Sequence, residues 1–206
     1  MSEKAPHEQT LLASLKGGGK LVYPILSSRN IVVRSLGQAT TSGLKTAAYQ
    51  FFRNSQEFKN RIELDQKVWV LYTQVKLNGK HWKRKDVVSF IYGAPGAVST
   101  SQQLGVIMVF YVVRFWPANE AGNCEDLEAR TAVFAKLWPF PDSGVSSTYG
   151  NGDGFTSFRV KKKSIRNQQP IVVHSDALMA LYFKVPDAAL NTHYHWCVPL
   201  SLAFTD

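Results

Sequence analysis

The segment from Val106 to Phe115, VIMVFYVVRF, constrains the fold more than any other part of this sequence. Its apolar residues leave no polar face, and it is shorter than the roughly 20 residues that a membrane-spanning helix needs. Its β-branched and aromatic residues favour a central β-strand that is buried on both sides. We therefore predict such a strand here, ended by Pro117 and preceded by a polar loop that runs to Gln103.

Apolar residues at strand spacing lie upstream, over residues 63–77. Val68, Val70 and Tyr72 would lie on one face of a strand, with Trp69 and Leu71 on the other. This pattern predicts one long strand. Asn78-Gly79 is a strong hairpin-turn signal. We expect the partner strand at Val87–Tyr92.

Two segments carry helical signals. In residues 44–61 the apolar side chains recur at spacings of three, four and seven, which predicts a short helix, with an edge strand as the alternative. Residues 123–137 begin with a capping residue, Asn123, and an acidic first turn, which predicts a helix. Shorter strand signals cover Val22–Leu26, Ile31–Val33, Phe155–Ile165, Ile171–His174, Ala177–Val185 and Tyr194–Phe204.

Many strands, little helix and no alternation of strand with helix indicate an all-β, antiparallel sandwich. We expect one domain over residues 21–206. Residues 1–20 are polar and include three consecutive glycines, so we predict a flexible N-terminal arm.

The charge of the chain is strongly asymmetric. Residues 1–85 contain 15 Lys and Arg against five Asp and Glu, whereas residues 86–206 contain nine against ten. Such a surplus indicates a surface that binds a polyanion, usually nucleic acid, because neutralised phosphates release counterions. An acidic protein, a membrane surface, or a basic surface that serves solubility are the alternatives.

The densest basic cluster follows the predicted turn and interleaves Trp82 with four cations. The cations would neutralise phosphates, and an exposed Trp82 would stack on an unpaired base. In the alternative, Trp82 anchors the core and the cations form its solvated rim. The candidate nucleic-acid-binding residues are Lys16, Lys20, Arg29, Arg34, Lys45, Lys59, Arg61, Lys80, Trp82, Lys83, Arg84 and Lys85.

No catalytic, cofactor or metal site is predicted, because the sequence has no GxSxG, HExxH or CxxC motif. His193, His195 and Cys197 fall on one strand face, with His174 as a further candidate ligand, and suit zinc in principle. An aromatic cluster is the alternative. The N-terminus MSEKAPHEQT lacks the apolar stretch of a signal peptide, and we expect no membrane partner.

From Val106 onward, the order of elements resembles the single jelly-roll coat proteins of small plant viruses, such as geminiviruses, nanoviruses and necrosis-type satellite viruses. The matching pieces are Val109–Trp116, Phe158-Arg159-Val160-Lys161-Lys162 and Leu200–Asp206. The resemblance implies a jelly-roll subunit that self-assembles with identical copies into an icosahedral shell and packages viral nucleic acid without sequence preference. It also implies a location in the virion and in the host cytoplasm or nucleus.

A second resemblance concerns the terminal strand, Cys197–Phe204, which is similar to a strand of plant-virus movement proteins of the thirty-kilodalton type. It implies the alternative function of a non-structural viral nucleic-acid-binding protein, either a movement protein or a silencing suppressor.

Overall fold

A computed structural model describes residues 23–24, 31–54, 62–77, 80–92, 101–117, 130–140, 146–148, 156–161, 169–186 and 194–199. Within these residues the chain is mostly antiparallel β-sheet, as the sequence predicts, and it contains a single short α-helix. No helix in the described ranges is long and apolar enough to cross a membrane. The predicted arm, residues 1–20, lies outside the described residues.

The helix, α1, spans Leu44–Asn54. The strands in chain order are β1 Tyr23–Pro24, β2 Ile31–Ser35, β3 Ile62–Leu71, β4 Gln74–Leu77, β5 Lys80–Lys83, β6 Val87–Tyr92, β7 Ser101–Pro117, β8 Arg130–Pro139, β9 Ser146–Thr148, β10 Thr156–Lys161, β11 Ile171–His174, β12 Leu178–Pro186 and β13 Tyr194–Pro199.

The chain divides into two compact units. The first takes in the described residues up to Arg84, Met108–Lys136 and Val172–Ser175. Its strands form a small sheet in the order β1-β4-β5 and a larger array in the order β2-β3-β7-β8-β11. The second unit takes in the other described residues, whose strands follow the order β7-β6-β12-β13-β10-β9.

The core of the first unit forms where α1 packs on strands β3 and β7. Leu44, Ala48 and Phe52 recur at four-residue intervals and are at most 1% exposed, so one stripe of the helix is buried. The Phe52 ring lies 4.4 Å, centroid to centroid, from that of Phe115 in β7. The predicted helix is confirmed over Leu44–Asn54, and the alternative of an edge strand is wrong.

Strand β7 is buried on both faces, as predicted. Tyr111 and Val113 belong to the core that α1 covers, while Phe110 and Val112 point the opposite way and are also fully buried. The strand is longer than expected, because it starts at Ser101, within the predicted polar loop, and runs for 17 residues to Pro117.

The predicted helix over 123–137 is wrong in its described part. Residues 130–137 belong to strand β8, next to β7 and β11. Val133, Ala135 and Leu137 are spaced by two, which is the period of a strand, and the intervening Phe134 is also buried. Residues on both faces of β8 are buried, so the sequence lacks the alternation of apolar and polar residues that marks a half-exposed strand.

The long strand predicted over 63–77 is two strands. β3 ends at Leu71, the chain bends at Tyr72 and Thr73, and β4 then joins a different sheet. The predicted hairpin is confirmed, since Leu77 of β4 pairs with Lys80 across residues 78–79. Its partner strand is β5, however, and Val87–Tyr92 forms β6, which pairs with β7 and β12.

The second unit has a core of its own, which includes Val87, Tyr182 and Cys197. A close backbone approach marks Gly105 in β7. A Cβ atom there would lie 2.8 Å from the carbonyl oxygen of Trp138 and 3.0 Å from the Phe90 ring. Only glycine fits so near the backbone of a neighbouring strand.

Candidate nucleic-acid interface

One face of the β4–β5 hairpin carries three basic side chains. Lys76 lies directly opposite His81, and Lys83, two residues beyond His81, lies opposite Gln74. Directly opposed residues share a face of a sheet, as do residues two apart on one strand. All three basic side chains are exposed. Lys76, His81 and Lys83 therefore form the cationic face of the hairpin.

The other face of the hairpin is apolar and buried. Val75, Leu77 and Trp82 are at most 8% exposed. Lys80, beside the turn, is exposed, and its Nζ lies 5.9 Å from the centroid of the Trp82 ring. A register slip of one residue would turn the apolar side chains outward, so their burial fixes the register. The same burial keeps the cationic face toward solvent.

No acidic residue interrupts this part of the chain. Residues 66–85 contain six Lys and Arg, and the nearest acids in sequence are Asp65 and Asp86. Arg84, which follows β5, is exposed, and its backbone N–H donates to the carbonyl oxygen of Thr73 at 2.6 Å. Cations concentrated in this way create a local positive potential that attracts phosphates.

The structure exposes six of the predicted nucleic-acid-binding residues: Arg34, Lys45, Lys80, Lys83, Arg84 and Lys85. Lys83 lies on the cationic face of the hairpin and Lys80 on the face of Trp82, and Arg84 and Lys85 follow β5. Arg34 lies in β2 and Lys45 in the first turn of α1. Trp82 is 3% exposed, which agrees with the alternative of a core anchor. The remaining predicted residues lie outside the described ranges: Lys16, Lys20, Arg29, Lys59 and Arg61.

Sequence reasoning missed Lys76 and His81. The signal was present in the alternation of Gln74–Leu77, which places Lys76 on the face opposite Val75. A two-residue turn after Leu77 pairs Leu77 with Lys80, and the next pair is then Lys76 with His81.

A second charged site lies at a bulge in β3. Leu64 pairs with Phe115 and Val68 with Val113, so β3 has two more residues than β7 in this interval. Asp65 lies in the bulge, where its Oδ1 accepts a hydrogen bond from the backbone N–H of Lys67 at 2.9 Å. The bulge thereby directs the carboxylate of Asp65 toward β7.

That carboxylate holds Arg114 of β7. The Nε of Arg114 donates to Oδ2 of Asp65 at 3.1 Å, and its Nη2 lies 3.0 Å from the same oxygen. The guanidinium carbon lies 5.7 Å from the ring centroid of Trp69 and 5.3 Å from that of Trp116. Both charged side chains are largely shielded, Asp65 at 13% and Arg114 at 28% exposure. Arg114 is thus a cation held by a carboxylate and two indole rings.

An open cavity of about 390 Å³ lies beside this bulge. Its described lining includes two aromatic and two acidic residues, and none of the described lining residues is basic. These residues are Tyr49, Ile62, Glu63, Leu64, Asp65, Gln66 and Trp116.

No group of three or more His, Cys, Asp or Glu among the described residues is arranged to bind a metal ion. Cys197 is fully buried, and burial raises the pKa of its thiol to about 11. His174 stacks on Phe51, with ring centroids 3.6 Å apart. His193 lies outside the described residues.

Comparisons with known proteins return no match: no protein-family model, no curated protein and no solved structure is significantly similar to this chain.

Proposed function

We propose that this protein is a viral coat protein, a jelly-roll subunit that assembles into a small icosahedral shell and binds nucleic acid through its basic N-terminal half. The observation that carries the proposal is the cationic face of the hairpin, where Lys76, His81 and Lys83 are exposed together. Nucleic acid is the natural ligand of such a face, because each neutralised phosphate releases counterions.

The burial of Trp82 defines how the hairpin would bind. A ring that is 3% exposed has no face free for a base, so the contacts run from cations to phosphates. Phosphate contacts carry no sequence information. Binding should therefore tolerate any sequence and weaken steeply with salt, as packaging of a whole genome requires.

The sheet architecture supports the structural role. Strand pairs β2–β3, β3–β7, β6–β7 and β12–β13 are antiparallel, and jelly-roll subunits are built from antiparallel strands. The resemblance of residues 109–116, 158–162 and 200–206 to plant-virus coat proteins points to the same class.

Titration of a mixed-sequence oligonucleotide at several salt concentrations tests the interface. The double variant Lys76→Ala/Lys83→Ala should reduce the slope of log K against log salt by about 1.5, since each phosphate contact contributes about 0.7–0.9. Arg53→Ala/Lys184→Ala is the matched control, because it removes two exposed cations that lie outside residues 66–85. Equal slopes for both double variants would refute a specific role for the cationic face.

Electron microscopy and size-exclusion chromatography of the purified protein test the class. Closed particles of uniform diameter are expected of a coat protein. Monomers or small oligomers that coat RNA or DNA without closing a shell would instead indicate a movement protein or silencing suppressor.

A further inference from the structure

The cavity beside the bulge has acidic lining residues, although the chain as a whole is basic. The chain as a whole has a formal charge of +9, and the nearby helix exposes Lys45 and Arg53. Among the described residues, the cavity lining includes the acidic Glu63 and Asp65 and no basic residue. A cationic group would enter it favourably, and a phosphate would meet like charge.

The two carboxylates are not equivalent. Asp65 is committed to Arg114 through Oδ2 and to the backbone of Lys67 through Oδ1. Glu63 is exposed and forms no ion pair with another described residue. One carboxylate at the cavity is therefore available to a ligand.

The aromatic lining suits the same ligand. Tyr49 is 46% exposed, and the Trp116 ring both lines the cavity and stacks against Arg114. Ring faces attract ammonium and guanidinium groups through their quadrupole. The guanidinium of Arg114 is bound in the same way within the chain, because it contacts the carboxylate of Asp65 and the indole rings of Trp69 and Trp116.

We propose that this cavity binds a lysine or arginine side chain presented by a second copy of this chain. The partner is argued from charge complementarity, because the chain has 24 Lys and Arg against 15 Asp and Glu and presents many of these cations to solvent. The proposal rests on the proposed function, in which identical copies assemble.

In a two-fold dimer such a contact is made twice, because each cavity receives a side chain of the other copy, and around a higher symmetry axis it is heterologous. Repeated heterologous contacts close into rings when the rotation between copies permits. The contact therefore deepens the proposed function by naming one of the subunit interfaces from which a closed shell is built.

Self-association measured by sedimentation equilibrium, without nucleic acid, tests the proposal. Glu63→Gln removes the available charge and Tyr49→Ala removes the exposed ring, and each should weaken self-association about tenfold. Asp176→Asn is the control for charge, because Asp176 is exposed and does not line the cavity. Tyr49→Phe is the control for the ring, and both controls should associate like the unmodified chain.

Three outcomes would overturn the proposal. The first is a chain that remains monomeric at all concentrations, and the second is unchanged self-association of Glu63→Gln and Tyr49→Ala. The third is binding of free arginine amide to the cavity without any effect of the variants on self-association, which would assign it to a different basic partner. Oligonucleotide binding of the same variants separates the two proposals, because it should be unaffected by Glu63→Gln even if the interface proposal fails.

Discussion

The cationic hairpin and the bulge of β3 come from one stretch of chain, yet they place their charged residues in opposite ways. In the hairpin, uninterrupted pairing buries Val75 and Trp82 and turns Lys76 toward solvent. In the bulge, two additional residues interrupt the pairing with β7, and Asp65 holds Arg114 partly out of water. The regular pairing of the hairpin thus separates charged from apolar side chains, whereas the bulge of β3 brings two opposite charges together.

The difference has an energetic consequence. Exposed cations add little to the stability of the fold and can contact a phosphate polymer from solvent. A shielded ion pair contributes to stability through charged hydrogen bonds and is not available to another ligand. The free energy of unfolding should therefore respond strongly to substitutions that touch buried or shielded groups and weakly to those on the cationic face.

The largest effect is expected for Trp82→Ala. Removal of a buried ring leaves a cavity under the hairpin, and the free energy of unfolding should fall by about 3–5 kcal/mol. Urea denaturation followed by far-UV circular dichroism measures the loss. Trp82→Phe, which retains a ring, should cost less, and a loss below about 1 kcal/mol for Trp82→Ala would show that the buried face does not anchor the hairpin.

A smaller loss, about 1–2 kcal/mol, is expected for Asp65→Asn, because charged hydrogen bonds to Arg114 are lost while shape is retained and solvent partly compensates. The same denaturation experiment measures it. Glu63→Gln, one position from the bulge and exposed, is the matched control and should be near neutral. Equal losses of unfolding free energy for the two variants would contradict the expectation that the carboxylate paired with Arg114 stabilises the fold more than the exposed one.

Arg114→Lys tests the geometry of the held cation at constant charge. Lysine cannot offer the planar guanidinium that stacks on Trp69 and Trp116, so a loss of about 1 kcal/mol is expected. Combining it with Asp65→Asn should cost less than the sum of the single losses, because both variants disrupt one interaction. Strict additivity would argue against a shared site.

The smallest effect is expected for Lys76→Ala and Lys83→Ala. Neither side chain is buried, so each should change the free energy of unfolding by less than about 0.5 kcal/mol. A loss above about 1 kcal/mol in thermal or urea unfolding would mean that the cationic face stabilises the fold as much as the Asp65–Arg114 pair does.

Local patterns were sufficient for the elements whose burial follows a simple period. Alternation and β-branched content predicted β7 as a strand buried on both faces, and the bounds of β6 and β11 match the predicted Val87–Tyr92 and Ile171–His174. The spacing of apolar side chains predicted α1. In each case the residues themselves display the period of the element.

Predictions from the sequence failed where contacts with other strands determined the secondary structure. Residues 130–137 follow an acidic stretch that looks like a helix start, and only the flanking β7 and β11 make a strand of them. The break between β3 and β4 was likewise missed, although the spacing of apolar residues changes to three between Tyr72 and Val75. The predictions of a single jelly-roll domain and of a coat protein remain predictions.

What the sequence by itself determined is the sorting of side chains in the hairpin. Because the pleat turns successive residues to opposite faces, burial of Val75 and Trp82 leaves Lys76 and Lys83 outside. Only the tertiary structure decided that Asp65 meets Arg114, 49 residues away. That meeting depends on a bulge that shifts the register between two strands, and a pairing between distant strands is not encoded in the period of either strand alone.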